Sequence, residues 1–227
     1  MLRTFQHWKE LLASLVPDAG IMQWHKTWVL KNGSNSPIYA DWRRLRGHPR
    51  ARYAAIWCAI MCMKELGITR EFDFDLIADI PTGVTPVVAN IAYELGIPQV
   101  TPHPPKDHGT GTTIEGIYQP GQRVVVWDDV ATSGGSIITG IQILSDEGLD
   151  VLKDVFVMMD REQGAADKLA EKGYILHSVF TADSLLNYFN EHGQIEPEKF
   201  AELMAYLHPG QGAQTTADAA ATRTVTV

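Results

Sequence analysis

The order of segments along the chain predicts an α/β fold, with a doubly wound, mostly parallel sheet, helices on both faces and a small N-terminal hairpin region. Three observations predict it. Segments such as "FDLIADI", "RVVVWD" and "VLKDVFVMM" are apolar nearly throughout, as strands covered on both faces must be. Stretches with helical spacing lie between them, so strand and helix alternate. Glycine and proline punctuate the junctions.

The elements follow in order. Apolar residues recur at helical spacing from Phe5 to Leu15, and Pro17 closes that segment. "TWVLKNGSNSPIYADWR" reads as two short strands joined by a polar turn at Lys31 to Ser36. Pro49 opens a helix that runs through "RYAAIWCAIMCMKEL" to a stop at Gly67. The alternating part comes next: strand "FDLIADI", helix Val84 to Leu95, strands "PQVT" and "RVVVWD", helix Ser136 to Glu147, strand "VLKDVFVMM", helix Gln163 to Glu171 and strand "YILHSVF". Helical patterns at Ala182 to Asn190 and Pro197 to Leu207 end the ordered part. A single domain is expected over residues 1–208, and residues 209–227 hold too little large apolar surface to offset their ordering entropy, so a disordered tail is expected there.

Composition narrows the function. The chain has 227 residues, 45% of them hydrophobic, and its 19 basic against 27 acidic side chains give a formal charge of -8. Nucleic acids and anionic membranes call for an excess of Lys and Arg, so neither is an expected partner. No stretch of about 18 uncharged apolar residues appears, and a cytoplasmic location is expected. Cys58 and Cys62, four apart on one helical face, read as buried core thiols. The eight histidines show no zinc-ligand spacing, so no metal site held by the protein itself is expected.

The most informative stretch is "VVVWDDVATSGGS", Val124 to Ser136. Asp128 and Asp129 fall where a parallel strand ends, and ligands of open parallel sheets bind beyond those ends. The residues Val130, Ala131, Thr132, Ser133, Gly134, Gly135 and Ser136 lead into a helix whose first amides and positive end suit a phosphate. Carboxylates are strong acceptors for vicinal sugar hydroxyls, so the combination fits a sugar phosphate. Neither G-x-x-x-x-G-K-[ST] nor G-x-G-x-x-G occurs, which leaves an ATPase or a dinucleotide fold without its phosphate loop.

This stretch resembles the PRPP-binding motif of the type I phosphoribosyltransferases. Four further segments, "LKNGSNSPIYADWR", "LIADIPTGVTPVVANIAYELGIP", "KDHGTGTTIEG" and "MMDREQGA", make the chain most similar to the orotate phosphoribosyltransferases, with the likeness spanning Trp28 to Thr181. The resemblance implies the type I fold, with residues 1–48 forming a hood over the base. It implies transfer of ribose 5-phosphate from PRPP to orotate, giving orotidine 5′-monophosphate and pyrophosphate, with Mg²⁺ carried by PRPP. Asp128 and Asp129 would orient the ribose, and Ala131 to Ser136 would hold the 5′-phosphate. Lys31, Tyr39, Thr132 and Arg161 would lie near orotate. Residues 102–114 would form a loop that closes over the neighbouring subunit of a homodimer, bringing Lys106 and His108 to the pyrophosphate.

Two departures from the family pattern fall on the leaving-group side. The loop begins with Pro102 and His103 where relatives carry Arg-Lys, and His103 recovers part of that charge only if phosphates raise its pKa. Asp79, in "ADIPTG", stands where glycine is usual and is expected to repel the pyrophosphate. Transfer to a different base and non-catalytic binding of PRPP or a nucleotide are therefore the alternatives. The basic cluster "DWRRLRGHPR" reads as a surface for the dimer partner, for anionic substrate or for solvent.

Overall fold

The structure, a computed structural model, describes residues 4–29, 33, 35–70, 73–105 and 112–209. Helix α1 (Phe5–Leu15) starts at Thr4, whose side chain accepts from the His7 amide at 3.3 Å. Four two-residue strands follow: β1 (Met22–Gln23), β2 (Trp28–Val29), β3 (Asn35–Ser36) and β4 (Tyr39–Ala40). The expected hairpin is therefore two nested antiparallel pairs. β2 pairs with β3, and β4 pairs outside them with β1. A 3₁₀ helix, Trp42–Gly47, buries Trp42 and Leu45 and leads into α2 (Pro49–Glu65). Proline in its first turn and the His48 ring, which accepts from the Ala51 amide, start α2.

The alternating part has the expected order with one further strand, Ile114–Glu115, between the sixth and eighth strands. It runs β5 (Leu76–Asp79), α3 (Thr85–Leu95), β6 (Gln99–Pro102), β7 (Ile114–Glu115), β8 (Arg123–Ala131), α4 (Gly135–Asp146), β9 (Asp150–Asp160), α5 (Ala165–Ala170), β10 (Ile175–Thr181), α6 (Ala182–Glu191) and α7 (Pro197–Leu207). One sheet of order β10-β9-β8-β5-β6-β7 results, parallel except at β7, which runs antiparallel to β6. From β5 the chain winds outward to β6, and from β8 it winds the other way through β9 to β10. The winding reverses between β5 and β8, the point at which open parallel sheets have their ligand crevice beyond the carboxyl ends of the strands.

Alternation along β8 divides the interior into two cores. Val125 and Trp127 pack toward α1, α2, α3 and α6, whereas Val124 and Val126 pack toward α4 and α5 with Ile137, Ile141 and Leu169. Three differences from the sequence expectations matter for the site. β8 continues through both acids to Ala131, because pairing with β9 persists to Asp160. Pro102 ends β6, opposite Ile114, so the two ends of the 102–114 segment are bound to each other. α5 is shorter than expected. Residues beyond 209, where a disordered tail is expected, lie outside the described residues. Among the described residues, no helix is long and apolar enough to cross a membrane.

Candidate active site

The ends of β8 and β5 lie side by side, with Asp79 paired to Trp127 and the Ile80 amide donating to the Trp127 carbonyl at 2.8 Å. Asp128 is 4% exposed, and its carboxylate accepts from the Asp129 amide at 2.7 Å and from Ser136 Oγ at 3.0 Å. Burial holds its pKa well above the usual carboxylate range, the charge of Asp129 adds to this, and the Ser136 hydrogen bond opposes it. Asp129 Oδ1 accepts from the Val130 amide at 2.9 Å, while Oδ2 lies against Gly83, in the 81–84 turn that follows β5. Burial raises this pKa too, and the positive charge of Arg43 works against the rise. Neighbours on a strand point to opposite faces. The acids follow that rule, with Asp128 bracing the start of α4 and Asp129 turned toward the 81–84 turn.

Beyond Ala131 the chain turns through half-buried Thr132 and exposed Ser133 to Gly134. Gly134 has φ of +70° and is the N-cap of α4 without a side-chain cap. The first amides of α4 thus have no side-chain acceptor from the cap residue, which is the arrangement that accepts an oxyanion.

Of the residues that the resemblance assigns to the base, Tyr39 lies on one of the small strands. Tyr39 stacks on Trp28 with ring centroids 5.8 Å apart, and its hydroxyl accepts from Arg43 Nη2 at 3.0 Å. Arg161, which follows β9, is 6% exposed and donates to Ser36 Oγ at 3.1 Å and Tyr206 Oη at 3.5 Å. Ser36 in turn donates to the Ile38 carbonyl at 2.6 Å, so its lone pairs face the guanidinium. Strand β3 and helix α7 therefore hold the cation that the resemblance assigns to the base. Ser36, Gly83 and Tyr206 meet partners distant in the chain, which spacing along the sequence does not show, whereas Arg43 meets Tyr39 only four residues away. Lys31 lies outside the described residues.

On the leaving-group side the reading of Asp79 needs correction. Its carboxylate is fully buried and accepts from Thr85 Oγ1, Thr101 Oγ1 and Gln99 Nε2, the last at 2.8 Å. The acid is turned into the sheet and satisfied there, and it does not line the crevice. His103 is held by its ring, with Nδ1 2.9 Å from the Pro104 carbonyl and Nε2 3.7 Å from Glu115 Oε1. Lys106 and His108 lie outside the described residues. Among the described residues, no group of three His, Cys, Asp or Glu side chains could hold a metal ion.

No family model matches the chain. It is 34% identical over 178 residues to a bifunctional enzyme PyrF/PyrE of Nostoc sp., covering 78% of this chain and only 36% of that one, so it spans about a third of that relative's length. Among solved structures, the orotate phosphoribosyltransferase of Mycobacterium tuberculosis H37Rv in complex with 5-phospho-alpha-D-ribosyl 1-diphosphate superposes with a TM-score of 0.60 at 28% identity, over 78% of this chain and 98% of that one. The orotate phosphoribosyltransferase of Pyrococcus abyssi is 32% identical over 178 residues, 78% of this chain and 94% of the relative. Likeness at that level over nearly the whole of a curated relative places this chain in the orotate phosphoribosyltransferase family.

Proposed function

We propose that this chain transfers the ribose 5-phosphate of PRPP to orotate, giving orotidine 5′-monophosphate and pyrophosphate in pyrimidine biosynthesis. One observation carries the reading: Asp128 and Asp129 lie in the carboxyl-terminal part of a central strand where the sheet winding reverses, beside a helix that begins on an uncapped glycine. The first turn of α4 takes the 5′-phosphate and Asp129 accepts from the ribose hydroxyls, while Asp128 keeps Ser136 in place. As the bond from C1 to the diphosphate breaks, positive charge grows on the ribose, and a buried carboxylate nearby stabilises it more than one in water. Orotate lies under the Tyr39 ring with its carboxylate toward Arg161. Its ring nitrogen bonds to C1 and gives up its proton, while the electron pair of the broken C1–O bond leaves with the pyrophosphate, which can take that proton.

The same proposal includes a metal that arrives with the substrate. Mg²⁺ on the diphosphate of PRPP supplies countercharge to the leaving group when bound. The homodimer, with residues 102–114 serving the neighbouring subunit, and the cytoplasmic location belong to the same proposal. Two free, buried cysteines support the location, and sedimentation at twice the mass of the chain is the expected result for the dimer.

The test is an assay of the purified chain with PRPP, Mg²⁺ and orotate, following loss of orotate absorbance together with pyrophosphate release. Equal rates of both are expected. Pyrophosphate release with another base and none with orotate would refute the assignment of base, and PRPP binding without release of pyrophosphate would refute catalysis.

A further inference from the structure

A departing diphosphate gathers negative charge, so its side of the site needs cations. The described start of the 102–114 segment offers little. Pro102 is bound into the sheet edge, and the ring of His103 is engaged by Pro104 and Glu115. The 3₁₀ helix Trp42–Gly47, by contrast, buries Trp42 and Leu45 and leaves Arg43, Arg44 and Arg46 exposed.

The three arginines have different fates. Arg44 donates to the Ala19 carbonyl at 3.1 Å and lies against Gly20, on the side of α1. Arg43 is taken up by Asp41 at 2.6 Å and by the Tyr39 hydroxyl. Arg46 donates one N–H to the Thr82 carbonyl at 3.0 Å, and no carboxylate among the described residues pairs with it. Thr82 precedes Gly83, the residue against which Asp129 packs. Arg46 is thus fixed by a backbone acceptor at the lip of the crevice, one residue from the carboxylate assigned to the ribose. A guanidinium has five donors in a planar fork, and most of them remain for an anion.

We propose that Arg46 binds the diphosphate of PRPP and balances the charge of the departing pyrophosphate. The cluster read from the sequence as a surface for the dimer partner, for anionic substrate or for solvent then divides by residue, with Arg46 serving the leaving group. The proposal rests on the phosphoribosyl-transfer reading above.

Calorimetry on the full chain separates the two. PRPP, pyrophosphate and orotidine 5′-monophosphate are titrated, with Mg²⁺ present, into the wild type, Arg46→Gln and Arg46→Lys. Arg46→Gln is expected to weaken PRPP and pyrophosphate by about tenfold or more, the scale of one charge-assisted hydrogen bond, and to leave orotidine 5′-monophosphate within about twofold. Arg46→Lys is expected to recover part of the loss. Unchanged PRPP affinity in Arg46→Gln, or an equal loss for orotidine 5′-monophosphate, would overturn the role of Arg46 and leave the transfer reading standing. Binding of neither PRPP nor orotidine 5′-monophosphate by the wild type would overturn both.

Discussion

A β-carbon built on Gly83 would fall 1.7 Å from Asp129 Oδ2, closer than any real contact, and the clash lies with a side chain that the mechanism needs in place. Gly83→Ala must therefore displace Asp129. The expected result is a loss of about tenfold to a hundredfold in kcat/KM for PRPP, the scale of one charged hydrogen bond, with the circular dichroism spectrum unchanged. A rate equal to that of the wild type would remove Asp129 from the ribose. Asp128 leads to a prediction about stability. Its folded pKa is raised, so over the window from the ordinary carboxylate range up to that raised value the native state holds a proton that the unfolded state has released. Stability contributed by this group is present at low pH and is lost as pH rises through that window. Asp128→Asn removes the loss while keeping an acceptor for the Asp129 amide. It is expected to unfold about 2–4 °C higher at neutral pH and to be much less active, and the gain should vanish in acid. A lower melting temperature at neutral pH would contradict the account.

The elements differ in how far they can be read from the sequence, and the cause is length. β8 and β9 declare themselves because burial on both faces demands a long apolar run. The helix at Phe5–Leu15 has the bounds its periodicity predicts. The strands β1 to β4 have two residues each, too few for any period to show, so the pairing of Tyr39 with Gln23 is set by the fold around it. β7 is equally short, and what holds it in place is partly a side chain far along the chain. Glu147, just after α4, accepts from Thr113 Oγ1 at 2.6 Å and Tyr118 Oη at 2.9 Å, and these bonds lower its pKa. The Thr113 carbonyl in turn receives the His103 amide at 2.9 Å. Glu147→Ala should loosen this attachment, and the His103 amide should exchange its hydrogen about two- to tenfold faster in native-state measurements. Unaltered exchange there would show that the β6–β7 pairing holds without Glu147.

The whole molecule buries two cores on the two faces of one sheet, and the larger contains both cysteines. Burial pushes the Cys62 thiol up to about 11 and the Cys58 thiol higher still, so neither offers thiolate near neutral pH. Reaction with a thiol reagent is accordingly expected only at the rate of global unfolding, and fast labelling of the native protein would contradict this packing. At this scale the candidate site was about half legible. Asp128 to Ser136 could be read because strand end, acids and glycine-initiated helix are contiguous in the chain. Asp79 was misread because the donors that satisfy it, Thr85, Gln99 and Thr101, become its neighbours only in the folded sheet. The same geography has a consequence for change over evolutionary time. On the proposed reading the grip on the sugar sits on a central strand, paired on both sides, whereas Tyr39, the ring offered to the base, hangs on a ladder two residues long. Preference for one heterocycle over another can thus drift by editing the rim, with the part of the molecule that recognises phosphorylated ribose left untouched.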